Sequence, residues 1–337
     1  MSDTNKLPVL VTGGAGYIGS HAVLALRDAG WDVSVIDNLS TGFAFAVPEG
    51  VPFYEGDIAD RDLLDRIFQE RGIEAVMHFA GSVVVPESVE KPLKYYDNNT
   101  GRSRSLIEAV IANGGKHFIF SSTAATYGTP ESSPIPEDAP QSPINPYGWS
   151  KLMTEQMLAD AAAAHGINVG VLRYFNVAGA DPEGRTGQST AGATHLIKVA
   201  CEAATGKREA VDVFGSDYDT RDGTGVRDYI HVSDLAAAHV LALEALIAQP
   251  TASFTMNCGY GRGFSVLEVL DAVDRVTNQT IKRRLRSRRA GDPGELVSDP
   301  SRIRANLPWT PQHDDLDEIV AHALQWERKL ADRQGIG

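Results

Sequence analysis

Thr12-Gly13-Gly14-Ala15-Gly16-Tyr17-Ile18-Gly19 closes the apolar run 7–12 and opens a helix-patterned stretch, 17–29, that Gly30 ends. Strand, glycine-rich turn and helix in that order predict a Rossmann-type unit. Its backbone N–H groups and helix N-terminus would face a dinucleotide pyrophosphate. Glycines 13, 16 and 19 let the chain turn tightly and approach a ligand closely. Their spacing is G-x-x-G-x-x-G, not G-x-G-x-x-G, and taken alone it also suits a plain strand-to-helix turn. Asp37 ends the next strand, 32–37, and lies 18 residues beyond Gly19. A carboxylate there accepts hydrogen bonds from the adenosine ribose hydroxyls and repels a 2′-phosphate, so NAD is expected rather than NADP.

Outward from this unit, short β-like runs alternate with helical ones. Strands are predicted at 51–55, 75–79, 117–121 and 169–174, and helices at 60–71, 95–113 and 146–165. Leu63, Leu64, Ile67 and Phe68 give 60–71 its apolar stripe, while Asn145 as cap and Pro146 in the first turn start the last helix. The expected fold is α/β, a doubly wound parallel sheet with a smaller C-terminal α/β domain. Beyond Phe175 the pattern loosens into loops at 179–192 and 215–225, before a helix at 234–248. Residues 228–258 are expected to return to the sheet. The division is therefore 1–175 plus about 228–258 for the nucleotide, and 176–227 with 259–337 for a substrate. The Pro-rich 130–146 reads as an active-site loop, and no internal repeat occurs.

Tyr147-Gly148-Trp149-Ser150-Lys151 puts a phenol and an ammonium one helical turn apart on one face. A phenol of pKa ~10 is a poor base at neutral pH, and a neighbouring ammonium stabilises its phenolate. Other polar groups fall at predicted strand ends, where ligands bind in open α/β sheets. Asp57 and Ile58 are placed to touch the adenine ring, and Phe79, Ala80 and Gly81 to line the pyrophosphate and the ribose next to nicotinamide. Ser121-Ser122-Thr123 offers hydroxyls that can help Tyr147 polarise an alcohol or carbonyl, although a lone Ser or Thr there is also ordinary turn chemistry.

The order of glycine loop, acidic strand end, Ser/Thr strand end, then Tyr-x-x-x-Lys resembles the extended short-chain dehydrogenases/reductases. Over nearly the whole chain the resemblance is to their UDP-glucose (UDP-galactose) 4-epimerase family. It is carried by Asp37-Asn38-Leu39, Glu55-Gly56-Asp57-Ile58, His78-Phe79-Ala80-Gly81, Tyr95-Tyr96-Asp97-Asn98-Asn99, Phe120-Ser121-Ser122 and Leu172-Arg173-Tyr174-Phe175-Asn176. The more specific runs are Asp222-Gly223-Thr224-Gly225-Val226-Arg227-Asp228-Tyr229-Ile230-His231-Val232 and Arg288-Arg289-Ala290-Gly291-Asp292.

That resemblance implies NAD-dependent, reversible 4-epimerisation of UDP-glucose and UDP-galactose through a 4-keto sugar, with NAD held tightly. Thr123, Tyr147 and Lys151 would be catalytic, with Tyr147 exchanging the 4-hydroxyl proton and Lys151 lowering its pKa. Gly13, Gly16, Tyr17, Ile18, Gly19, Asp37, Asn38, Asp57, Ile58, Phe79, Ala80, Gly81, Asn98, Ser121, Ser122, Tyr174 and Phe175 would join Tyr147 and Lys151 around NAD. Asn176, His195, Leu196, Phe214, Arg227, Arg289 and Leu296 would join Thr123 at the UDP-sugar. Arg227 and Arg289 would clamp the diphosphate with planar donors. Phe214 would lie next to the uracil, and His195 would bind as a neutral ring.

There are departures from the family pattern. Val83 replaces a lysine, Thr194-His195-Leu196 stands where two asparagines often precede the leucine, and Leu296 is intermediate between a bulky Tyr and the smaller residues that admit N-acetylated sugars. Ala124-Ala125 after Thr123 lacks the Asp-Glu of 4,6-dehydratases. Epimerases of UDP-pentoses, UDP-hexuronates or N-acetylhexosamines stay open. A non-catalytic nucleotide sensor is the alternative from another class, but it would not need the intact dyad. A homodimer packed through helices 95–113 and 146–165 is implied.

The net charge of -13 argues against nucleic acid as a general partner. Within it, Lys282-Arg283-Arg284-Leu285-Arg286-Ser287-Arg288-Arg289 is a local basic run, read as a solvated edge strand or an anion-binding strand before a nucleic-acid arm. On strand alternation Arg289 shares the face of Leu285 and Arg283. Two cysteines, Cys201 and Cys258, make a disulfide framework implausible and a reducing compartment the expectation. No signal-peptide pattern or membrane-length apolar run occurs, so a cytoplasmic protein is expected, and no metal-ligand spacing stands out.

Overall fold

The computed structural model describes residues 6–249, 253–289 and 292–333; Ala290 and Gly291 of the basic motif and the outer ends of both expected domains lie outside them. In chain order the first part runs β1 (Val9–Thr12), α1 (Tyr17–Asp28), β2 (Val33–Asp37), β3 (Phe53–Glu55), α2 (Arg61–Arg71), β4 (Ala75–His78), α3 (Val85–Glu90), α4 (Pro92–Tyr95), α5 (Arg102–Ala112), β5 (His117–Thr123), α6 (Pro146–His165) and β6 (Asn168–Tyr174). It continues through β7 (Asn176–Ala178), α7 (Leu196–Ala204), β8 (Val211–Phe214), β9 (Val226–His231), α8 (Val232–Ala248), β10 (Phe254–Cys258), β11 (Gly263–Ser265), α9 (Val266–Thr277), β12 (Arg283–Arg286), β13 (Glu295–Leu296), α10 (Ser301–Asn306) and α11 (Leu316–Arg333).

The main sheet has seven strands, all pairing in parallel, in the order β10-β6-β5-β4-β1-β2-β3. Strands β1, β2, β4, β5 and β6 are buried at every position, as a sheet covered on both faces requires. One face packs Val9, Val11 and Val35 with Val23 and Leu26 of α1 and Leu243 of α8. The other packs Leu10, Phe118 and Phe120 with Ile67 of α2, Leu106 and Val110 of α5 and Leu158 of α6. The strand order reverses between β1 and β4, which opens a crevice at the carboxyl ends of the central strands.

A second, smaller sheet joins β7, β9, β11 and β13, and β8 pairs with β12 in a two-stranded ribbon. This corrects one expectation: β9 belongs to the small sheet, so the return to the main sheet begins with α8 and is completed by β10. A short strand reads alike in either sheet. A second correction concerns 95–113. A π-helical turn, Tyr96–Gly101, separates α4 from α5 and rotates the asparagines that follow Asp97. Among the described residues no helix is long and apolar enough to cross a membrane.

Candidate active site

The glycine turn lies at the carboxyl end of β1. Gly13 has φ +69, and a Cβ there would sit 2.6 Å from the Ala80 nitrogen; a Cβ on Gly19 would collide with the Gly13 carbonyl. Only glycine permits β1, α1 and the segment after β4 to approach so closely. Gly16 is the N-cap of α1, with no side-chain cap and no acidic residue in the first turn. The helix N-terminus thus keeps its N–H groups and positive dipole end for an anion, which fits a dinucleotide pyrophosphate. Tyr17 and Ile18 open the helix, and the Tyr17 hydroxyl donates to the Gly179 carbonyl at 2.7 Å, tying the turn to the segment after β7.

Asp37 is buried at the end of β2. Its carboxylate accepts from the Ala15 and Leu39 N–H groups at 3.0 and 2.8 Å; burial pushes its pKa up, and those two bonds pull it down. Asp57, on the turn with Ile58, ion-pairs with Arg102 and accepts a long bond from Asn38. Phe79, Ala80 and Gly81 follow β4, and the Phe79 ring lies 4.8 Å from that of His239.

Tyr147 and Lys151 sit in the first turns of α6, started by Asn145, whose side chain accepts from the Gly148 N–H at 2.9 Å. Thr123 ends β5, and its hydroxyl accepts from the Ala125 N–H at 3.1 Å and lies near the Tyr147 phenol. Lys151 is buried, donates to the Ser121 carbonyl at 2.9 Å and lies 4.9 Å over the Phe120 ring. Burial pushes the lysine down to about 8, opposed by Glu155 one turn on. Burial also raises the Tyr147 phenol, and the nearby Thr123 hydroxyl lowers it. An ammonium with one protein partner has donors to spare. A Cβ on Gly81 would come 3.7 Å from Lys151 Nζ, so the backbone after β4 and the lysine border the same space. Ser121 and Tyr174 share a hydrogen bond, as do Ser122 and Glu155, so these residues brace the site from beneath.

The residues expected around a sugar nucleotide fall into groups. Asn176, His195 and Leu196 line one pocket with Tyr229 and Trp326. His195 Nδ1 is 2.7 Å from the Gln188 amide, and burial lowers its pKa, which keeps the ring neutral. Leu296 packs with Phe175 against Ala124, Tyr127 and Ile135, and pairs in register with Arg227. Arg227 is bound by Asp292 and by the Val226 and Pro293 carbonyls, both at 2.8 Å. Arg289 places its guanidinium 3.8 Å over the Phe214 ring.

The basic run is divided by its partners. Lys282 and Arg284 pair with Glu209, Arg283 with Asp271 and Asp274, Arg286 with Asp212, and Arg288 with Asp217. The strand stops at Arg286, so alternation does not reach Arg289 as the sequence suggests; Leu285, meant to share its face, is 66% exposed.

Asn99 is a residue the sequence passes over in favour of its neighbour Asn98. It is buried, accepts from the Ser82 N–H at 2.7 Å, and donates to the Ser82 carbonyl at 2.9 Å and the Ser150 hydroxyl at 3.0 Å. Asn98 donates to the Ser82 hydroxyl at 2.9 Å. Together they fix the segment after Gly81 against α6; the Asn-Asn pair itself was the available signal.

A dinucleotide crevice at the switch point, with a Thr, Tyr and Lys at the ends of the next elements, defines a nicotinamide-dependent short-chain dehydrogenase/reductase type of site. Residues 9–259 match the profile of the NAD dependent epimerase/dehydratase family, and the chain belongs to that family. It is 59% identical over 329 residues to the UDP-glucose 4-epimerase of Azospirillum brasilense, covering 98% of this chain and 94% of that protein. The structure of UDP-glucose 4-epimerase from Brucella ovis in complex with NAD superposes with a TM-score of 0.92 at 45% identity, over 95% of this chain and 98% of that one. The UDP-Glc/GlcNAc 4-epimerase of Campylobacter jejuni gives a TM-score of 0.84 at 46% identity, over 96% and 99%.

Proposed function

We propose that the chain is a UDP-glucose 4-epimerase that interconverts UDP-glucose and UDP-galactose with a retained NAD. The observation that carries the reading is buried Lys151 one turn along α6 from Tyr147, with Thr123 near enough to lower the phenol's pKa, beside the uncapped N-terminus of α1. Bound in that crevice, NAD supplies reversible hydride acceptance and return at C4 of the sugar. The chain's own residues do the rest. Thr123 holds the 4-oxygen, and Tyr147 removes and returns its proton. Lys151 stabilises the phenolate against the burial that otherwise raises the phenol's pKa. Asp37 takes the adenosine ribose, Gly13–Gly19 the pyrophosphate, and Arg227 and Arg289 the sugar-nucleotide diphosphate. For Arg227 this means exchanging Asp292 for phosphate, and for Arg289 leaving or sharing the Phe214 face.

In this reading the main-sheet residues up to 175 and from 232 to 258 hold NAD, and the remainder holds the UDP-sugar. Leu296, packed on the same Ala124, Tyr127 and Ile135 cluster as Phe175, sets the room at the sugar, and the likeness to a UDP-Glc/GlcNAc enzyme favours weak acceptance of an N-acetyl group as a second activity. A homodimer is supported by an apolar strip on α3, α4 and α6: Val89, Leu93, Trp149 and Met153 are all exposed, Leu93 at 78%. Two buried, unpaired cysteines accord with a cytoplasmic enzyme. The test of the chemistry is Tyr147→Phe. Turnover is expected to fall about 10²–10⁴-fold, the range for a lost acid/base, with bound NAD retained; near-normal turnover overturns the role.

A further inference from the structure

The end of β9 and the start of α11 gather three imidazoles and a carboxylate that the proposed reaction does not use. His313 Nδ1 lies 2.7 Å from Glu318 Oε1, and His231 Nε2 lies 3.1 Å from His322 Nδ1. The His231 ring is 4.6 Å from that of His313 and 5.2 Å from that of His322, centroid to centroid. One donor atom each from His313, Glu318 and His322 lies within 4.8 Å of the other two. Donors on a tetrahedral ion with bonds of 2.0–2.1 Å sit about 3.4 Å apart. Closing the set therefore needs side-chain shifts on the order of 1 Å, available to residues that are only partly buried.

The cluster is held in place from outside. The His313 N–H donates to Asp234 at 3.0 Å, and its carbonyl accepts from the Tyr260 hydroxyl at 3.1 Å. Glu318 and His322 stand one turn apart on α11. Ser233 N–H donates to His231 Nδ1 at 3.0 Å, which leaves the His231 proton on Nε2, facing the His322 lone pair. The carboxylates of Asp181 and Glu318 lie near these rings and favour a cation.

We propose that His313, Glu318 and His322 form a binding site for a divalent transition metal ion of the zinc class, with His231 packed against its imidazoles. Two nitrogens and one carboxylate oxygen suit zinc and its neighbours, whereas magnesium and calcium prefer all-oxygen sets. A metal at His322 Nδ1 takes the lone pair that accepts from His231, and water completes the coordination. The bound ion would fasten the segment before α11 to the helix itself, beside the β9–α8 junction. The spacing His313-x4-Glu318-x3-His322 escapes a sequence reading because His313 precedes the helix.

The test titrates Zn²⁺ into the tag-free, chelator-treated full chain by calorimetry at pH 7.5, alongside Glu318→Gln and His322→Ala. One zinc per chain is expected, at least tenfold weaker binding in each variant, and a tetrahedral Co²⁺ absorption band that both variants lose. No saturable binding up to millimolar zinc, or equal affinity in wild type and Glu318→Gln, overturns the proposal. Should His322→Ala fail to fold, Glu318→Gln decides alone, since its side chain is 38% exposed.

Discussion

Arg173→Leu tests what holds the helix that carries Tyr147 and Lys151. Arg173 is buried on β6 and grips Glu155 of α6 through Nε at 3.1 Å and Nη2 at 2.6 Å. It also bonds the Tyr127 hydroxyl at 2.9 Å and lies 5.0 Å over that ring. Its loss strands the Glu155 carboxylate, 8% exposed, with Ser122 as its close remaining partner and the Gln141 amide at 3.5 Å. Breaking a buried pair from one side costs about 3–5 kcal/mol. With an unfolding entropy of about 2.1 cal/mol/K per residue, 337 residues give roughly 0.7 kcal/mol/K, so the melting temperature should fall by roughly 4–7 °C. Adding Glu155→Met removes the stranded charge and should recover at least half of that.

Calorimetric or circular-dichroism melts of the three proteins are the assay. A loss below about 1 kcal/mol, or a double variant as unstable as the single one, would show that this pair does not hold the helix.

Gly19→Ala forces a methyl group into the Gly13 carbonyl, so purified protein should carry little NAD by absorbance after acid release, with wild-type content contradicting the crevice. Lys151 must keep its proton to stabilise the phenolate and is held at about 8, so turnover should decline above pH 8. Glu155 supports that proton, and Glu155→Gln should move the decline to lower pH in a pH–rate profile. In light scattering the chain should have the mass of the proposed dimer and Leu93→Asp that of a monomer, while an equal mass for both would contradict an interface at Leu93.

The parts of the fold that depend on local grammar were legible. Helix α6 runs over Pro146–His165 as the sequence expects, because Asn145 and Pro146 start it and Gly166, at φ +72, ends it. The strand–turn–helix at residue 13 and the acid at Asp37 likewise carry their own reasons. What was hidden depends on distant partners. The π turn at Tyr96–Gly101 serves Asn99, whose hydrogen bonds reach Ser82 and Ser150. Strand β9, with Arg227, Asp228 and His231 among its six residues, can be read as a strand of either sheet, and only its pairing with β7, β11 and β13 puts it in the small one. Glu155 reads as a surface residue of an Ala-rich helix until Arg173 arrives from β6. Strand alternation divides the basic run by face, yet what divides it in the fold is the acids of β8 and α9 and their flanks, which neutralise all but its end.

In the proposed reading the chain itself performs 4-epimerisation with a cofactor it keeps. Proton NMR of the purified protein with UDP-galactose, and no added NAD, is the decisive measurement. UDP-glucose should accumulate to an equilibrium mixture; unchanged UDP-galactose, even after NAD is supplied, would contradict that reading.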